Sequence, residues 1–147
     1  MEEIKKAVAR THLELNSDYG YQEKHYQSVL CHYIRKMIPD AVVSLEVNLP
    51  YQTTDGFCFY NGRMDVVVET TNKYIILELK AHIDKNRGFK NAIGQTKRYV
   101  SNTRTDKELH GMLIIFGGLS PVVRYFQRVG RLIPVSKTIP TAQPGES

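Results

Sequence analysis

The sequence predicts an α/β fold in which a mixed sheet of four or more strands is flanked by helices, and three observations predict it. Tyr26, Val29, Leu30, Tyr33, Ile34 and Met37 recur at helical spacing; three extended runs follow between Ala41 and Leu79; a second helical stripe then leads into the apolar run Met112 to Phe116. A strand reached through a helix lies parallel to an earlier strand, so the sheet is mixed.

Each element has its own signal. Met1 to Leu15 is read as a short helix with Ile4, Val8 and Leu15 on one side. Asn16-Ser17-Asp18-Tyr19-Gly20 is a turn and cap signal, and the helix that begins at Tyr21 ends at Pro39. Glu23 precedes Tyr26 by three and Leu30 by seven, which sets it on the apolar stripe near the helix's amino end. An ordinary first-turn glutamate favoured by the helix dipole satisfies the same spacing. Ala41 to Pro50 alternates Val43, Leu45, Val47 and Leu49 against Ser44, Glu46 and Asn48, as a half-buried strand does. Gly56 and Asn61-Gly62 punctuate the approach to the next strand, with Phe57 to Tyr60 extended between them.

Arg63 to Lys80, RMDVVVETTNKYIILELK, is read as a β-hairpin with charges where burial is expected. Val66 to Val68 and Tyr74 to Leu79 are β-branched and aromatic arms, yet Asp65, Glu78 and Lys80 interrupt them, and a buried charge is costly unless paired or bound to a metal. A two-residue turn at Thr71-Asn72 places Asp65 across from Glu78 and Arg63 across from Lys80. Alternation then puts Asp65, Glu78 and Lys80 on one face. Cross-strand Cβ atoms are about 4.5–5.5 Å apart, close enough for both carboxylates to reach one cation with oxygen ligands at about 2.0–2.1 Å. The competing reading is a buried ion-pair network that fixes strand register.

Phe89, Ala92, Ile93, Thr96 and Val100 mark the second amphipathic helix, with Gln95 and Tyr99 four apart on one side. Lys85, Arg87, Lys90, Lys97, Arg98 and Arg104 make its remaining surface basic; a solvated face explains them, and beside an acidic site so does contact with phosphates. Met112 to Phe116 reads as a central strand buried on both faces; Val122 to Val129 could be a helix started by Ser120-Pro121, but VVRYF favours a strand with Arg124 and Arg128 exposed. His25, His32 and His82 lack the spacing of a metal-binding pair. Tyr19, Tyr21, Tyr26 and Tyr33 are expected to pack or line a cleft rather than stack bases.

The 147 residues, 41% hydrophobic, suit one compact domain over 1–133 with the tail PVSKTIPTAQPGES over 134–147. A net charge of +5 favours an anionic partner. Cys31 and Cys58 belong to no CxxC pair, and neither a signal peptide nor a membrane span is apparent, so the expectation is a soluble intracellular protein, cytoplasmic or nuclear, with no membrane partner.

The order of helix, three-strand meander, helix and strand, with Asp65, Glu78-x-Lys80 and a helical Gln95, resembles the PD-(D/E)XK nuclease superfamily over about Gly20 to Phe116. Gly20-Tyr21-Gln22-Glu23-Lys24-His25-Tyr26 and Ile76-Leu77-Glu78-Leu79-Lys80-Ala81 look like the signature of its GxxExxY family. Met64 stands where the superfamily's name has proline. The resemblance implies a restriction-endonuclease-like αβββαβ core and a deoxyribonuclease using Mg²⁺ or Mn²⁺. Asp65, Glu78, the Leu79 carbonyl and Glu23 would hold metal; Lys80 would orient and help deprotonate the attacking water; Gln95 would sit beside Lys80 or the scissile phosphate. Nucleic acid, with DNA preferred, would lie along Lys85, Arg87, Lys90, Lys97, Arg98 and Tyr99, and so small a core leaves room for a homodimer or an accessory protein. The alternative is a catalytically silent nucleic-acid-binding or protein-interaction module that keeps the fold.

Overall fold

Glu2 and Glu3 occupy the first turn of α1 (Glu2–Glu14), where the helix dipole favours carboxylates, and Ile4, Ala7, Val8 and Thr11 form its buried face. The computed structural model describes residues 1–15, 20–52, 58–83 and 87–128. The turn expected at Asn16 to Tyr19, the segment Gly56-Phe57, Lys85 and the tail from 134 lie outside them. α2 (Glu23–Met37) starts two residues later than the periodicity indicates, because Gln22 caps it reciprocally with His25: the Gln22 N–H donates to His25 Nδ1 at 3.0 Å. That bond gives His25 a capping role.

Three strands follow, β1 (Val42–Gln52), β2 (Cys58–Glu69) and β3 (Lys73–Ala81), then α3 (Arg87–Asn102), β4 (Glu108–Phe116) and β5 (Val122–Gln127). They form a five-stranded mixed sheet in the order β1-β2-β3-β4-β5, antiparallel except for β3 and β4, which run parallel as the intervening helix requires. The α/β fold is that of a restriction-endonuclease-like core.

The hairpin has its two-residue turn. Thr70 N–H donates to the Lys73 carbonyl at 2.9 Å, and Lys73 N–H donates to Thr70 Oγ1 at 3.0 Å, so a hydroxyl stands in for one carbonyl. The register follows, Glu69 with Tyr74 through to Val66 with Leu77. There the ladder stops, so neither of the expected backbone pairings beyond it, Asp65 with Glu78 and Arg63 with Lys80, is part of it.

Alternation divides the hairpin between two cores. Val66, Val68, Ile75, Leu77 and Leu79 pack with α1 and α2, whereas Val67 and Ile76 pack with Tyr99 and Val100 of α3. Met112, Leu113 and Ile114 are fully buried between the layers, the double coverage that a continuous apolar strand predicts. Two expectations about exposure fail. Leu45 is 43% exposed despite its place in the β1 alternation. Arg128, expected on the solvent side, is half-buried and donates through Nη1 to the carbonyls of Val100 (3.1 Å) and Thr103, the carbonyls that a helix end leaves unpaired.

α3 lies so close to β4 that a Cβ added to Gly111 would overlap Val100 Cγ2. Val100 is branched and rooted in the helix, so the helix itself must lift. Gly111→Ala is expected to destabilise the protein by about 1–3 kcal/mol, read from the midpoint of chemical denaturation.

Candidate active site

Where the β2–β3 ladder ends, side chains take over from carbonyls. Asp65 N–H donates to Glu78 Oε1 at 3.1 Å, and Leu79 N–H donates to Asp65 Oδ2 at 2.8 Å. Each carboxylate therefore satisfies a main-chain donor that the interrupted ladder leaves over. Glu78 is only 2% exposed. Burial pushes its carboxyl up to about 8, with the charge of Asp65 adding to the rise; the Asp65 N–H and Lys80 oppose it. Burial also pushes Asp65 up to about 6, against the Leu79 N–H and Lys80, with Glu23 and Glu46 adding their repulsion. Two acids held this way resist ionising together, and a nearby positive charge relieves both.

α2 brings its amino end to the same place. Glu23, the first residue of the helix, accepts Ala81 N–H on Oε2 at 3.4 Å, just past the end of the hairpin's second arm. One turn on, Gln27 Nε2 donates to the Asp65 carbonyl at 2.9 Å and to Glu46 Oε2 at 3.0 Å. Glu46 lies between the paired residues Leu45–Val66 and Val47–Met64, which sets it across β1–β2 from Asp65, and its φ of 54° places it in the left-handed region. Arg63 completes this edge through an ion pair with Glu46 at 3.0 Å. An open cleft of about 580 Å³ results, lined by Glu23, Gln27, Glu46, Asp65 and Leu79 among others.

Of the five residues expected in one cleft, Glu23 and Asp65 line it, with Leu79 between Glu78 and Lys80. Glu78 lies buried behind Asp65 and is joined to it through the Asp65 N–H. Lys80 is half-buried and acts electrostatically on both carboxylates. Gln95 is engaged elsewhere: its Nε2 donates to Tyr99 Oη at 3.0 Å. Tyr99 itself is fully buried and donates to the Arg63 carbonyl at 3.2 Å, so it presents no surface to a nucleic acid; it fixes the edge of β2 instead. Arg87, Lys90 and Lys97 are exposed, and Arg98 is half-buried with its guanidinium 5.2 Å from the Tyr99 ring centre. Among the described residues, no three His, Cys, Asp or Glu side chains stand close enough to form a metal site by themselves.

Sequence reasoning missed Glu46, Gln27 and His82. Gln27 was within reach, since it follows Glu23 by four. Glu46 was read as a solvent-side residue of an alternating strand. His82, at φ 55°, donates its backbone N–H to the Phe116 carbonyl at 3.0 Å, and its Nε2 bonds the Tyr21 carbonyl at 3.1 Å, which makes that nitrogen the protonated one. Tyr26 packs as expected, stacked on Phe116 with ring centres 4.5 Å apart, and Tyr21 lines the cleft.

A mixed sheet between helical layers, with an aspartate and a glutamate on adjoining strands and a lysine two residues beyond the glutamate, defines a nuclease-type core. The chain belongs to the PD-(D/E)XK nuclease superfamily, whose family model matches residues 1–129. No curated protein matches it. A solved structure described as "Crystal structure of SSO0001" is similar over 92% of this chain and 68% of that one, at 17% identity and a TM-score of 0.47.

The raised carboxyls have a consequence for stability. Their folded values lie above the ordinary 3.8 and 4.5, so across the window from there up to about 6 for Asp65 and about 8 for Glu78 the folded chain holds protons that the unfolded chain has released. Stability from these groups is therefore complete at low pH and is lost as pH rises through the folded values. In EDTA, the melting temperature is expected to fall more between about pH 5 and pH 8.5 in the wild type than in Glu78→Gln, which cannot ionise there. Equal slopes would remove Glu78 as the group responsible.

Proposed function

We propose that this protein hydrolyses phosphodiester bonds in nucleic acid, DNA for preference, with the help of Mg²⁺ or Mn²⁺. The observation that carries the reading is the joined pair Asp65 and Glu78, both with carboxyls raised by burial and by neighbouring carboxylates, Asp65 lining a cleft that also receives Glu23. The donors fit a hard divalent ion: they are all oxygen, and a cation there would favour the charged forms that burial and the neighbouring carboxylates disfavour. Asp65, Glu78 and the Leu79 carbonyl would hold it, with Glu23 supplying a further carboxylate from α2. When bound, such an ion lowers the pKa of water and neutralises charge on the scissile phosphate.

The chain's own groups divide the remaining work. Lys80 orients the attacking water and offers its positive charge to the phosphorane, whose extra negative charge develops at the phosphate oxygens. The Leu79 N–H locks the Asp65 carboxylate in one orientation, and Gln27 anchors the Asp65 main chain to α2, so the strand and helix contributions keep a fixed separation. The exposed Arg87, Lys90 and Lys97 give the strand's other phosphates a cationic surface. A narrower placement in the GxxExxY family is supported by the same residues: Gly20 at φ 60°, Glu23 opening the helix at the cleft, and Tyr26 buried beneath it. The Gln95–Tyr99 bond favours a second reading, a binding module that keeps the fold without cutting.

The deciding assay presents single-stranded, duplex, flapped and junction substrates with Mg²⁺, Mn²⁺ or EDTA. Cleavage is expected with either metal and none with EDTA, and Asp65→Ala or Lys80→Ala should each lower the rate about 10²-fold or more while circular dichroism is unchanged. Binding without cleavage of any substrate would select the second reading. Independently of turnover, Mg²⁺ is expected to raise the melting temperature more at about pH 8 than at about pH 5, because protons compete for the same carboxylates.

A further inference from the structure

A second cavity, of about 400 Å³ and mainly apolar, lies at the carboxyl ends of the parallel strands β3 and β4, walled by Ile83, Phe89, Ile115, Phe116 and Val122. Its volume falls in the range that holds a small ligand. His82 lines both this cavity and the acidic cleft. The imidazole is held there by its bond to Tyr21 and by lying over Gly117, where an added Cβ would come within 2.5 Å of Nδ1. Both spaces thus open at the same end of the parallel pair, where α/β sheets characteristically bind ligands.

One basic group stands against the aromatic wall: the Arg124 guanidinium is 5.6 Å from the Phe89 ring centre. Ser120, which also lines the cavity, is exposed. An apolar chamber with an aromatic wall, a guanidinium against that wall and the acidic cleft on the other side of His82 matches a flat heteroaromatic ring joined to phosphate. A lipid tail or an apolar peptide side chain would use the chamber but not the adjoining cleft.

We infer that this cavity receives one unpaired nucleobase of the strand lying in the acidic cleft, with Phe89 as its stacking surface and Arg124 beside its phosphate. The inference rests on the phosphodiesterase reading and narrows it: a base stacked and paired in a duplex cannot enter, so the preferred substrate is single-stranded, gapped or bulged. Phe89 and Ser120 are specificity-determining residues that touch the base and not the reacting phosphate.

The test measures binding, first in EDTA and then with Ca²⁺, of oligodeoxynucleotides of one sequence carrying a single 2-aminopurine in a single strand, in a bulge or within a continuous duplex. The single strand and the bulge are expected to bind about tenfold tighter than the duplex, with the 2-aminopurine emission changing only in those two. Phe89→Ala, which removes the stacking ring, and Ser120→Trp, which fills the cavity from an exposed turn, should each abolish the preference and leave duplex affinity unchanged. Should Phe89→Ala fail to fold, Ser120→Trp decides. Equal affinity for the three forms, or a preference that survives in Ser120→Trp, overturns the inference. A protein that shows the preference but cuts nothing with Mg²⁺ or Mn²⁺ keeps the base site and loses the nuclease reading; one that cuts without preference does the reverse; one that binds no oligonucleotide under either condition loses both.

Discussion

Two main-chain N–H groups, those of Asp65 and Leu79, find carboxylates where a regular ladder would supply carbonyls, and the rest of the site depends on that exchange. It sets the strands' separation at the point where they part. It also joins a cleft-lining acid, Asp65, to a buried one, Glu78. An unpaired donor buried at this position would cost about 1–3 kcal/mol, so the carboxylates have a structural duty alongside any chemical one. That double role explains how a pair of mutually repelling groups persists between two hydrophobic cores: removing either leaves a backbone donor stranded.

The two cores make different demands. α1 and α2 cover the larger cluster and deliver the amino end of α2 to the cleft, whereas α3 lies against the opposite face, close enough to β4 that Gly111 has no room for a side chain. The parallel pairing of β3 with β4 follows from α3 being the crossover between them. Lys107 fastens the start of that crossover strand to the hairpin by bonding Glu69 Oε2 and the Thr70 carbonyl, both at 2.9 Å. Position at the site is thereby inherited from elements whose own residues carry no chemistry.

What the sequence disclosed was what local rules govern. The hairpin register could be read as far as Val66 and Leu77 because a two-residue turn fixes the pairs next to it, and the strand–helix–strand order fixed the direction of β4. Glu46 could not be found the same way. The β1–β2 ladder carries a register shift between Asn48 and Pro50, so no count from the connecting loop places residue 46 across from residue 65. Gln95 and Tyr99 were recognised as neighbours at helical spacing, yet spacing does not say which way a stripe faces; the packing of α3 buried Tyr99 and turned Gln95 towards it. Arg128 failed for a related reason. A strand pattern cannot anticipate that the next residue's side chain will satisfy another helix's last carbonyls.

Gly117 has no functional group and enters no step of the chemistry. Its φ of 102° already excludes most side chains, and the His82 ring occupies the space where a Cβ would go. Any substitution must displace the imidazole, and with it the wall shared by the acidic cleft and the apolar cavity. In terms of sequence variation, the position should therefore be among the least permissive in the chain while remaining invisible to any survey of reactive groups. A residue that shapes the site need not be one that reacts.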